Sequence, residues 1–365
     1  MPLLQPIKHE IIHKDGNYNC FPSIVQMQDG RLAISFRQAP DRQRTYGQIT
    51  HLDPASKAVY LVTKDGETWN RDPLVLYDDY FCGVQDPCLN VLQDGTLFAT
   101  FFMWKVYDAD DVQDRSGSGL WSSVYGKWLG RIEGVYTVQS TDGGQTWSSP
   151  VCINIADTAI RGNCTELEDG TIMAPLYRIT EGGASEVLIA ETKDRGETWS
   201  ILAAIADCDG HYFYEPNLYR TASGKLVAFI RSMKISKEDG AEHKSSPLFT
   251  SESSDNGKTW SLPVKHAIDS PSPFHLLRLE DGNVLLTYGY RHKPYGIRAI
   301  VLDAECGNID EAEEIIVRED APGRDIGYTS AVQLEGGNVF ITYYYYDAQD
   351  GLRYIAGSLC EVNGS

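Results

Sequence analysis

FPSIVQMQDGRLAISFR, residues 21–37, is two apolar runs joined by Asp-Gly, the kind of residue pair that supplies the positive φ of a hairpin turn. The same phrase returns five times: DPCLNVLQDGTLFATFF (86–102), RGNCTELEDGTIMAPLYR (161–178), EPNLYRTASGKLVAFIR (215–231), SPFHLLRLEDGNVLLTYGYR (272–291) and YTSAVQLEGGNVFITYYYY (328–346). The turn glycines are Gly30, Gly95, Gly170, Gly224, Gly282 and Gly337, spaced by 54 to 75 residues. A β-hairpin repeated at that period predicts radial repetition, an all-β six-bladed propeller with one blade per hairpin.

The copies run from near the first residue to near the last, so residues 1–365 read as a single propeller domain. HEIIHKD (9–15) resembles EEIIVRED (313–320), which precedes the sixth hairpin. The N-terminal segment is therefore expected to be the outer strand of the last blade, where it would remove an open sheet edge. Residues 104–134 insert into the second blade and carry Trp104, Trp121 and Trp128. This insertion reads either as a lid or a subunit contact, the latter giving a homo-oligomer, or as an extended hairpin.

The net charge of −19 argues against nucleic acid or an anionic membrane as partner. No apolar run has the length of a membrane span, and the N-terminal stretch lacks a signal-peptide core, which predicts a cytoplasmic protein. Eight scattered cysteines without a CxxC pair read as reduced and buried, with no metal-ligand cluster and no cofactor implied. Against that acidic background the hairpin ends are rich in arginine: Arg37, Arg161, Arg231 and Arg291, with Asp86, Glu215 and Tyr328 at neighbouring ends. Arginine's fork of donors suits a ligand carboxylate, so a small anionic substrate is compatible with the chain's charge.

Between the hairpins a second repeat recurs, Ser/Thr-x-Asp-x-Gly-x-Thr-Trp. It is complete at residues 140–147, 192–199 and 253–260, shortened at 63–69 and eroded at 303–310. Asp and Gly make its turn and Trp is expected to pack between blades. These are the Asp boxes of sialidases and their relatives, and nearly the whole chain resembles the sialidase-like six-bladed propeller family.

That resemblance implies further roles. SFRQAP places Arg37 and FIRS places Arg231 as two members of a three-arginine clamp for a sugar carboxylate. PYGIRAIVLD offers Arg298 as the third, with Arg291 of TYGYRHKP competing for the place. GYTSAVQL gives Tyr328 as nucleophile and YEPNLYR gives Glu215 as its base. A neutral phenol suits an anomeric carbon that bears a carboxylate, because an anionic nucleophile would be repelled. Asp53, in THLDPASK, matches the acid/base aspartate, with His51 as the alternative proton donor. Asp86 and Arg161 would bind substrate or steady the clamp. The chain departs from the family in the extra residue of FRQAP, and in having tyrosine at 343–346 where a glutamate usually holds the first arginine.

The reading is an exo-acting, retaining glycoside hydrolase that releases a terminal sialic acid or related acidic sugar from a small glycan or glycoside. Its rivals are a hydrolase or lyase of another sugar, such as arabinan or a uronic acid, and a non-catalytic sugar-binding propeller.

Overall fold

The computed structural model describes residues 4–113, 115, 121–179, 184–238 and 241–362. Six antiparallel sheets succeed one another along the chain. Their first strands are Asn17–Gln26, Gly83–Val91, the broken pair Ala159–Ile160 and Thr165–Glu166, Tyr212–Arg220, Phe274–Arg278 and Gly327–Gln333. Each hairpins to a second strand, and all six turn glycines adopt left-handed φ between 82° and 90°, where a side chain would be strained. The sixth sheet holds both chain ends: Leu4–His13 pairs antiparallel with Arg353–Val362 as its outermost strand. No helix among the described residues is long and apolar enough to cross a membrane.

The three complete boxes share the same Asp-centred turn. Asp142, Asp194 and Asp255 each accept from the amide and hydroxyl of the following Thr, with amide distances of 2.9 Å. The Ser or Thr that opens each box accepts from the box glycine, also at 2.9 Å. The tryptophans seal neighbouring blades: Trp147 packs on Tyr60, Trp199 on Phe98 and Trp69 on Phe340. The Trp199 indole also donates to the Gly196 carbonyl at 3.1 Å. Trp199→Ala is therefore expected to destabilise by about 2–3 kcal/mol through lost packing, read as a lower urea midpoint with the slope unchanged. The eroded copy keeps its turn, in which the Glu305 and Gly307 amides donate to Asp303, but has no tryptophan.

Within the insertion, Leu97–Asp108 pairs with Trp128–Ser140 along its full length, and Trp121–Val124 folds back onto the latter. The described part of 104–134 is thus a hairpin that extends the second blade. The chain between the second and third strands of blade one, holding the single helical turn Gln43–Tyr46 and then His51–Asp53, reaches this extension: Leu52 packs in the cluster that contains Trp104 and Ile132.

Candidate active site

The first strands of blades one, two, four and six each break register at the same place: between Cys20 and Ser23, Gln85 and Cys88, Tyr214 and Asn217, and Gly327 and Ser330. Each bulge contains a left-handed residue that is not glycine: Phe21 (φ 58°), Asp86 (φ 49°), Glu215 (φ 46°) and Tyr328 (φ 52°). Such a conformation costs on the order of 1–3 kcal/mol per residue, and natural proteins concentrate that strain at functional sites. All four are buried. In blade three the strand is interrupted instead, and Arg161 stands at the break. The next residue must be glycine, since a Cβ on Gly162 would lie 2.2 Å from the Pro216 carbonyl oxygen.

These residues converge. The Tyr328 hydroxyl donates to Glu215 Oε1 at 2.5 Å, and Arg231 Nη1 donates to Glu215 Oε2 at 2.5 Å and to the Tyr328 oxygen at 3.2 Å. The Arg161 and Arg291 guanidiniums lie 5.1 and 5.3 Å from the centre of the Tyr328 ring, and Phe21 packs on that ring at 4.5 Å. Arg161 also reaches the Pro22 carbonyl of blade one at 2.8 Å. Arg37 is fully buried, and its one side-chain hydrogen bond among the described residues is a weak one to Cys20 Sγ.

The electrostatics set each protonation state. Burial opposes ionisation of Glu215, but Arg231, the donated Tyr328 hydroxyl and Arg291 outweigh it and hold the carboxyl below its ordinary range. Burial and the Glu215 charge push Tyr328 well above the usual phenol value, so it rests as a neutral donor. Asp86 is the contrasting carboxyl. Burial and Glu215 raise it to about 8 against the pull of Arg161, Arg37 and Arg231. Four arginines thus surround one anionic and one protonated carboxyl, a cationic focus in a chain of net charge −19. Several polar atoms there are buried without partners among the described residues: Arg37 Nε and Nη2, Arg161 Nη1, Arg231 Nε and Asp86 Oδ1.

The Asp86 state has a stability signature. Between the unfolded carboxyl value near 4 and about 8, the folded chain keeps a proton that the unfolded chain has lost, so stability falls as pH rises through that window. Asp86→Asn, neutral at every pH, is expected to stabilise little at pH 4 and most at pH 8 and above. Urea midpoints of both proteins across that range check this.

Two of the expected residues lie elsewhere. Arg298 does not join the cluster. It is buried against the outer strand of blade five, donating to the Arg318 carbonyl at 3.1 Å and pairing with Glu314 and Glu319 at 3.4 Å each. Arg291 takes its place, tied to the Ile326 and Pro271 carbonyls and to the Tyr344 hydroxyl. Asp53 does not touch the Tyr328–Glu215 pair either: its carboxylate accepts from Arg42 at 2.9 and 3.4 Å and from the Ala55 amide. His51 lies closer, edge-on to Phe21 at 5.0 Å and 3.3 Å from Asp325.

Asp325 is absent from the sequence reading. It accepts from Tyr18, Tyr344 and Arg353 and meets His51. Burial would raise it, yet His51, Arg353 and Arg291 hold it far below the ordinary value. Through Tyr344 this carboxylate braces Arg291, so the tyrosine run at 343–346 has a structural use. A signal for the cluster does exist in the sequence. Phe21, Asp86, Arg161, Glu215 and Tyr328 each stand nine residues before their turn glycine, and Arg37, Arg231 and Tyr344 seven after theirs. In blade five that second place is Gly289, where a Cβ would collide with Gly327 at 2.7 Å. The arginine comes two residues later.

Comparison with known proteins fits this geometry. The description of the BNR repeat-like domain matches residues 58–341. The chain belongs to that family of sialidase-like propellers. A Dyadobacter fermentans protein of unknown function is 31% identical to this BNR repeat-like propeller, with full coverage of both chains and a TM-score of 0.88. The propeller also superposes on the NanB sialidase of Streptococcus pneumoniae, at 13% identity and TM-score 0.66 over 96% of this chain and 70% of that one. The intramolecular trans-sialidase of Ruminococcus gnavus gives 15% identity and TM-score 0.65 over 97% of each chain. At such identities the sialidases share its fold. No curated protein matches the sequence significantly.

Proposed function

We propose that this propeller is an exo-acting, retaining glycoside hydrolase that releases a terminal sialic acid or related acidic sugar. The observation that carries this reading is the neutral Tyr328 hydroxyl donating to an ionised Glu215, with arginines packed over its ring and unpartnered guanidinium donors nearby. The sugar carboxylate would occupy those donors, from Arg37, Arg161 and Arg231, with Arg291, whose nitrogens bond Ile326, Pro271 and Tyr344, beside them. Tyr328 oxygen would then bond to the anomeric carbon as the glycosidic C–O bond breaks, its proton passing to Glu215. A carboxylic acid would protonate the departing oxygen. Water then reverses the sequence and regenerates the phenol.

Two carboxyls compete for the acid's role. Asp86 holds its proton to about pH 8. Asp53 is ion-paired to Arg42 but lines a cavity of about 360 Å³ together with Tyr46, Tyr125 and Trp128. Asp53→Asn and Asp86→Asn, assayed with aryl glycosides of good and poor leaving groups, separate them, since loss of the acid spares the good leaving group.

The reading is tested by product formation from aryl glycosides of sialic acid, deaminated sialic acid, other ulosonic acids, glucuronic acid and arabinofuranose. Turnover of an ulosonide is the expected result. Turnover confined to the glucuronide or arabinoside would overturn it in favour of another sugar, and silence on all would favour a non-catalytic binding protein.

A further inference from the structure

Where the first strands of the six blades meet, a small cavity lies on the propeller axis. Ser23, Cys88, Arg161, Asn217, His275 and Ser330 line it, one from each blade in chain order. Ser23, Cys88, Asn217 and Ser330 each stand two residues past Phe21, Asp86, Glu215 and Tyr328, so the cavity is the layer next to the arginine cluster. It leaves about 10 Å³ for the centre of a water-sized sphere, room for one water or one small ion. Two of its walls carry buried nitrogens with no hydrogen-bond partner among the described residues, Arg161 Nη1 and His275 Nδ1. Both residues are more than nine-tenths buried.

The charges around this cavity favour an anion over a water. Arg161 Nη2 is taken by the Pro22 carbonyl at 2.8 Å, and the residue makes no ion pair among the described residues. In the adjoining layer four arginines surround one ionised carboxylate, Glu215, while Asp86 keeps its proton. A cation taken out of water needs a counter-charge, and a neutral water supplies none. No carboxylate lines the cavity. The acidic group there is the Cys88 thiol, which burial pushes up and keeps neutral. Burial and the charge of Arg161 push His275 down to about 3, so its ring is neutral and carries one proton.

We infer that the axial cavity binds one small monoatomic anion, chloride being the abundant one, between Arg161 and His275. Arg161 Nη1 carries two hydrogens, so one meets the ion and the other stays available to the cluster. On the opposite wall Ser330 Oγ accepts from the Ile24 amide at 3.1 Å and faces His275 Nε2 at 3.3 Å. Its hydrogen fits that nitrogen better than the Ile24 carbonyl at 3.5 Å, which leaves the ring's own proton on Nδ1 as the second donor to the ion. Size excludes a carboxylate or a phosphate, because the space holds a single sphere. The ion would bind whether or not the propeller is a hydrolase, so the inference stands apart from the proposed reaction.

The test titrates sodium chloride into the full chain, with sodium gluconate, whose anion is too large for the cavity, holding the ionic strength constant. The thermal midpoint is expected to climb saturably, by about 2 °C or more between about 1 and 300 mM chloride. His275→Leu replaces one donor with an apolar side chain, so its midpoint should no longer respond to chloride. A second readout needs no variant. Crystals of the parent chain grown in chloride, measured with long-wavelength X-rays, should show the anomalous signal of chlorine between Arg161 and His275. A midpoint indifferent to chloride, a response that survives in His275→Leu, or an axis without anomalous signal would each overturn the site.

Discussion

Tyr328→Phe is expected to lower kcat on an ulosonide by about 10³-fold or more, because it removes the bond-forming atom and keeps almost everything else. The ring remains against Phe21 and under Arg161 and Arg291. What is lost is one hydroxyl, its donated bond to Glu215 and its contact with Arg231. Ground-state affinity for the sugar should therefore hold to within a few-fold, and the loss should appear in kcat. A comparable rise in KM with kcat intact would assign Tyr328 to binding alone. Glu215→Gln is expected to fall in the same direction, since an amide accepts the phenol's hydrogen bond but not its proton.

The second large effect is on stability. Arg231→Met removes the cation whose Nη1 serves both Glu215 and Tyr328, leaving a buried carboxylate with the phenol as its one hydrogen-bond partner among the described residues. Breaking a buried ion pair from one side typically costs about 3–5 kcal/mol, because the remaining charge stays desolvated. Chemical denaturation of Arg231→Met should show a loss of that size. The double variant Glu215→Gln with Arg231→Met should recover most of it, having no charge left to strand. Equal destabilisation of the single and double variants would mean that Arg231 contributes by packing and not by charge.

The fold was legible because its signals are local. A turn glycine with left-handed φ and apolar runs on either side, and a box whose Asp caps its own turn, are each contained within about twenty residues, and both repeat. Asp142, Asp194 and Asp255 bind atoms no more than four residues away. The cluster was partly legible for a related reason: Arg37, Glu215, Arg231 and Tyr328 occupy corresponding hairpin positions. What escaped depends on partners that sequence does not place. PYGIRAIVLD resembles the family's third arginine, yet Arg298 meets two glutamates that flank the adjoining strand, while Arg291 displaces it because Gly289 leaves no side chain at the usual place. Asp53 carries no local sign of its ion pair with Arg42, eleven residues earlier. Asp325 had no local mark, since its partners Tyr18, His51, Tyr344 and Arg353 come from both ends of the chain. The strain at Phe21, Asp86, Glu215 and Tyr328 is likewise invisible in composition, but the fixed offset from each turn glycine makes it a rule that a sequence can be searched for.

The central claim is that Tyr328 bonds to an acidic sugar held by arginine. The most direct measurement is trapping: incubation with an ulosonyl fluoride carrying a second fluorine beside the anomeric carbon, which slows release of the covalent intermediate, followed by intact-mass and peptide mass spectrometry. The account predicts one added sugar per chain, on the peptide containing Tyr328, and none in Tyr328→Phe. An adduct on a different residue, or turnover of the ulosonide with no adduct at all, would contradict it.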